Sequence, residues 1–185
     1  MTVILTGAAL IREREQGTVE HLLVMPVVST EIMLAKMIAS GLVILAAMLS
    51  LQFVVHWWIG SPINGSILLF LLGTAIYALV VAALGILLGT LGTTMRQFGL
   101  LAIPVLIVTQ LLSGSSTPME SMPVWLQYLI RTISPTPHFV SFAQAVLFRG
   151  ADITLVWQEL IAMLAIGVVY FTVASVRFRK VIFGG

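Results

Sequence analysis

The 185-residue chain has no cysteine, which excludes both a disulfide framework and a thiolate metal site. Charge is scarce as well. Charged residues make up 9% of the sequence, against about 25% in a soluble domain. With 59% hydrophobic residues, a soluble fold of this length could not cover its apolar surface, so the solvent must largely be lipid. No Gly-rich phosphate loop ending in Lys and Ser or Thr occurs, so the chain does not hydrolyse ATP by itself. No basic stripe with interleaved aromatics occurs either, and nucleic acid is not an expected partner. His21, His56 and His138 are far apart and fall on different sides or depths, without metal-ligand spacing. No carboxylate and histidine cluster suits a hydrolase. Met1 to Ile11 lacks the basic start of a signal peptide. It reads as the last half of a membrane helix, which makes the chain a fragment or an unusually short relative of something longer.

What is present is a series of apolar runs. Crossing the hydrocarbon core takes about 20 apolar residues in a helix. Residues 33–59, 67–92, 95–113 and 153–176 are read as membrane helices, although the third is short and contains Pro104. Residues 1–11 end a truncated helix, 12–32 form a charged loop, 114–152 an outer segment and 177–185 a tail. The expected fold is an all-α membrane protein: a polytopic helical bundle of four full spans and a truncated N-terminal half-helix. The basic residues orient it. Arg12, Arg14, Lys36, Arg96, Arg177, Arg179 and Lys180 fall on one side, and Arg131 and Arg149 on the other. Seven against two makes the first side, and with it the C-terminus, cytoplasmic.

The outer segment is too apolar for an ordinary loop. In Glu120 to Pro135, Met122, Trp125, Leu126, Leu129, Ile130 and Ile133 share one helical face, opposite Glu120, Gln127, Arg131 and Ser134. Ser121 suits a helix cap and Pro123 a first turn. Such a helix is too short to cross, so it should lie in the outer interface or dip in and return. Phe139 to Phe148 would form its second arm, and Arg149 to Asp152 the turn into the last helix.

Few polar groups lie within the spans. Gln52 and His56 are four apart, on one helical face, and Gln110 sits deep in the third span. They line a substrate path or make interhelical hydrogen bonds. Glu159, near the start of the last helix, is favourable at the helix dipole. Gly85 and Gly89, with Ala78 and Ala82, form a small-residue stripe suited to close helix packing, including at a dimer seam. Ile11 to Ile32 carries six of the sixteen formal charges. Within it, Val19, Leu22 and Leu23 share one face of a short helix bracketed by Gly17 and Pro26, with Thr18 as a cap. It is either a docking element or a solvated interfacial loop.

Three motifs carry a resemblance. The stretch from Arg12 to Ile32, with Gly-Thr, Glu, Leu-Leu, Pro and Glu-Ile ahead of Lys36, resembles the first cytoplasmic loop of type-2 ABC transporter permeases. Leu111 to Leu129 is similar to that family's Leu-Ser-Gly, Pro, Glu-Ser-Met-Pro and Trp-Leu-Gln segment. Arg149 to Asp152 leads, as in the family, into a terminal helix ending in Arg-Phe-Arg. The likeness runs from Arg12 to Lys180. It implies the permease subunit of an ABC exporter in a bacterial inner membrane. It also implies partnership with a second permease copy and with a separate ATP-binding subunit that holds ATP and magnesium, this chain binding no cofactor. The loop from Gly17 to Glu31 would be the coupling helix, with Glu15, Gly17, Thr18, Glu20, Leu22, Leu23 and Pro26 facing the ATPase. Glu120, Ser121, Met122, Pro123 and Trp125 would form the outer hairpin or gate. Val27-Val28-Ser29 departs from an expected Pro-Leu-Ser, and Gly114 to Pro118 is more polar than usual. Two rival functions are a secondary transporter, disfavoured by the lack of a mid-membrane Asp or Glu, and a membrane-embedded enzyme, disfavoured by the missing acid–base cluster.

Overall fold

A computed structural model describes residues 2–15, 29–54, 57, 65–92, 94–114 and 121–183. Among these, every extended element is a helix: α1 (Thr2–Glu15), α2 (Ser29–Val54), α3 (Ile67–Leu91), α4 (Met95–Leu111), α5 (Val124–Ile133), α6 (Thr136–Arg149) and α7 (Ile153–Phe183). Helix is the form a chain must take where lipid offers backbone groups no partners. Hydroxyls in the apolar helices bond their own backbone for the same reason. Thr6 donates to the carbonyl of Thr2 and Thr74 to that of Phe70.

Local signals set the helix ends. Ser66 caps α3 by accepting from the amide of Leu69, and Thr94 caps α4 by accepting from Gln97. Gly150 closes α6 in the left-handed region, φ 62°, while the Ala151 amide donates to the Ala145 carbonyl at 3.0 Å. Glycine enters that region without the Cβ penalty. The helix after Met122 begins at Val124, with no side-chain cap on its first turn. Pro123 therefore stands just before the first turn, and its carbonyl accepts from the amides of Leu126 and Gln127. Helices outrun their sequence-based bounds and shorten the expected 12–32 loop: α1 continues past Ile11 to Glu15, α2 starts at Ser29 rather than residue 33, and α7 runs past Val176 to Phe183. Charged residues at a helix end do not break it, and their long stems let the charge reach the interface.

Among the described residues, three helices are long and apolar enough to cross a membrane: Glu31–Val54, Ile67–Leu91 and Ile153–Phe178. Helix α4 is shorter. It continues through Pro104 but, at 17 residues, reaches only about 25 Å at 1.5 Å per residue.

The centre of the bundle is α3, packed against α7, α1, α2, α6 and α4. One core cluster joins Leu10, Met33, Met37, Ile86, Ala174 and Phe178. It gathers the end of α1, the start of α2 and the end of α7, so Arg12, Lys36 and Arg177 share one end of the bundle. Another cluster joins Phe70, Phe142, Val146, Val156 and Met163 at the opposite end, beside Arg149. The small-residue stripe of α3 is used within the chain. A side chain at Gly85 would meet Thr6 Oγ1 and the Val3 carbonyl of α1, and one at Gly89 would meet Gly7. Gly85 and Gly89 thus admit α1 rather than a second subunit.

The α5–α6 hairpin dips into the bundle. Gly65 lies against Val146, Gly73 against Phe142, and Tyr77 stacks on Phe139 at 4.2 Å. Contacts that advance along α3 therefore retreat along α6. The corner between α5 and α6 ends beside Tyr77, whose hydroxyl is 3.4 Å from Thr136 Oγ1. Tyr77 is roughly 15 Å along α3. From the far side, Tyr170 of α7 donates to the Ile133 carbonyl.

Candidate functional site

A cavity of about 660 Å³ opens beneath the hairpin corner. Its wall takes in Val3 of α1, Met48 of α2, Tyr77 of α3, Gln110 of α4 and Thr136 at the corner. The volume falls in the range of small-molecule sites, as does the mostly apolar lining with a few polar atoms. Of those atoms, Thr109 Oγ1 is committed to the carbonyls of Val105 and Leu106. Tyr77 and Thr136 face one another. Such a wall can receive an apolar body and offer a hydrogen bond or two. A wall of this kind suits passage or binding of such a molecule.

The sequence-derived path residues divide. Gln110 reaches the cavity. Gln52 is half-buried on α2, one turn beyond Met48, and is not part of that wall. His56 lies outside the described residues, as do Gly17, Thr18, Glu20, Leu22, Leu23, Pro26 and Glu120. Of the coupling group only Glu15 is described. Its Oε1 accepts from the Met95 amide at 2.9 Å, so the last residue of α1 adds a carboxylate to the first turn of α4. A negative group there satisfies an orphan N–H and complements the helix dipole. Of the hairpin group, Met122 is buried, and its carbonyl accepts from Gln127 Nε2. Ser121, Pro123 and Trp125 are exposed, and the expected apolar face of α5 is open at Trp125, Leu129 and Ile133 as well.

A second polar centre ties the hairpin to the last helix. His138 Nδ1 is 2.5 Å from Glu159 Oε2, and His138 Nε2 is 2.8 Å from the Arg131 carbonyl. The hydrogen bond to Glu159 raises the His138 pKa above the usual imidazole value, against the lowering by burial. The helix dipole alone is thus not the whole account of Glu159, whose carboxylate is the partner of His138. Sequence reasoning missed the pair because the two residues are 21 apart. A signal was available: an isolated histidine and an isolated carboxylate in apolar surroundings each need a partner. Among the described residues no three His, Asp or Glu side chains gather as a metal site would require.

Residues 1–148 match the family described as "ABC-2 type transporter". The chain is 52% identical over 183 residues to the inner membrane transport permease YhhJ of Escherichia coli, covering 98% of this chain and 49% of that protein. It is 32% identical over 178 residues to the probable multidrug ABC transporter permease YbhR of the same organism, covering 96% and 48%. It is 21% identical over 165 residues to ABC transporter G family member 20 of Dictyostelium discoideum, covering 88% and 22%. The chain spans about half the length of the Escherichia coli relatives it matches.

Proposed function

Because the chain belongs to the ABC-2 type transporter family, we propose that it is a transmembrane portion of an ATP-driven exporter, working with a separate cytoplasmic ATPase and a second permease copy. The match over residues 1–148 carries this reading. The partner ATPase would hold the ATP and magnesium. Four crossings and a bacterial inner membrane belong to the same proposal, with Arg12, Lys36, Arg96 and Arg177 on the cytoplasmic side. Helix α4 would be the short third crossing, stopping below the hairpin.

In this mechanism closure of the ATPases pushes on the loop from Gly17 to Glu31, through Glu20, Leu22, Leu23 and their neighbours. Two features support transmission from there. The loop joins the end of α1 to the start of α2, so a push on it acts on both helices. Glu15, at the loop's edge, bonds the first amide of α4, and this tie would carry the same displacement to a third helix. These helices form much of the cavity wall, and Gln110 would face the transported molecule. The hairpin, with Glu120, Ser121, Met122, Pro123 and Trp125, would close the path on the outer side. The apolar wall favours an amphiphile over an ion, consistent with the multidrug permease named among the relatives.

Co-purification of the full-length permease with an ABC ATP-binding subunit tests the coupling claim. Glu20→Lys, or deletion of Thr18 to Met25, should abolish the complex. Unchanged binding in both variants would sink it.

A further inference from the structure

The centre at His138 has a property that neither the coupling loop nor the cavity uses. Its ring lies between Glu159 Oε2 and the Arg131 carbonyl. A carbonyl can only accept, so Nε2 must carry a proton to hold it. The contact to Glu159 needs a second proton, on Nδ1 or on the carboxyl oxygen. With two protons both contacts exist, wherever the shared one resides. With one, a lone pair faces a lone pair and one contact is lost. These contacts join three helices: Arg131 closes α5, His138 lies in the first turn of α6, and Glu159 is on α7. Side-chain exposure is only 15% for His138 and 29% for Glu159, so water replaces a lost partner poorly.

We propose that His138 and Glu159 form a proton-operated latch, which ties the hairpin corner to α7 while it holds the shared proton and frees the corner when that proton leaves. The neighbouring groups leave the role to this pair. From α5, the Arg131 charge opposes protonation of the ring, while Glu159 favours it. From α7, Tyr170 is committed to the Ile133 carbonyl, and from α3, Tyr77 to Thr136. The upward direction of the His138 shift agrees with a latch that is closed in acid and stays closed to a higher pH than an ordinary imidazole would allow. The consequence reaches the cavity. Pro135 and Thr136 are the corner itself, and both contribute to the cavity wall. Release would therefore open that wall from the hairpin side, in response to proton concentration rather than to nucleotide. This device does not depend on coupling to an ATPase.

Hydrogen–deuterium exchange of the full-length permease in lipid nanodiscs tests it, with rates corrected for the intrinsic effect of pH. Amide protection around Ile133 to Phe139 should fall about tenfold as pH rises from about 5.5 to about 8.5. His138→Gln, which cannot take up a proton, should show low protection at both extremes. Glu159→Gln should flatten the response, because its amide can donate to the bare Nδ1 of a neutral ring and keep both contacts at either pH. Level protection in the wild type, or the same step in His138→Gln, would overturn the proposal. Should His138→Gln not fold, the wild-type titration and Glu159→Gln still decide.

Discussion

Two helix ends in this bundle are closed by side chains from other helices, with opposite charge and unequal burial. At the basic end, Glu15 offers a carboxylate to the first amide of α4. At the hairpin end, His138 offers an N–H to a last-turn carbonyl of α5 and is backed by Glu159. Each sign matches the helix dipole, negative at an N-terminus and positive at a C-terminus. Glu15 is exposed and makes one such contact, whereas His138 is mostly buried and makes two. Water can stand in for the first and not for the second. The hairpin end should therefore be the more sensitive to mutation, and its His138 makes it responsive to pH.

The largest effect should come from Glu159→Ala. It leaves the His138 ring without its carboxylate and should lower unfolding free energy by about 2–3 kcal/mol, measured by denaturant titration in micelles. The sign of the pH dependence follows from the raised His138 pKa. The stabilisation is fully present below the ordinary imidazole value and is lost as pH rises through the raised one. The gap between wild type and variant should thus be widest in acid and narrow in alkali. An equal gap at both would place the two ends on the same footing.

Packing offers a second contrast between the ends. A Cβ at Gly85 would lie 2.7 Å from the Val3 backbone carbonyl, whereas at Gly73 it would meet the outer atoms of the Phe142 ring. Backbone yields less readily than a ring, so Gly85→Ala should cost about 2 kcal/mol and Gly73→Ala about 1 kcal/mol by thermal unfolding. The reverse order would show that the hairpin, not α1, is the more rigidly held.

Smallest of all should be Glu15→Ala, at roughly 0.5 kcal/mol and shrinking with added salt. Its effect should be seen in coupling instead. Transport-linked ATPase stimulation should drop in the full assembly while ATPase binding is retained. A destabilisation as large as that of Glu159→Ala would erase the distinction.

Much of this was legible in the sequence. Helices in apolar runs follow from the lack of backbone partners in lipid, and Gly150 marks an end where Arg149 to Asp152 reads as a turn. The common end of Arg12, Lys36 and Arg177 follows from alternating long spans. The hairpin was legible as two short arms but not in its depth, because amphipathicity does not distinguish lying on an interface from packing along α3. The cap on Val124 was misread at Ser121, since helix ends depend on backbone angles that composition constrains weakly. Gln110 reached the cavity and Gln52 did not, although both are lone polar residues in spans. Their difference is the azimuth at which α4 and α2 pack.

The sequence by itself determined class, solvent and the family, because each depends on local composition or on an ordered motif. Only the tertiary structure decided what each isolated polar group touches. It assigned Glu15 to Met95, Glu159 to His138 and Gly85 to α1. The physical reason is that these contacts lie between helices, whose packing angles and depths are set by the fit of many small side chains at once.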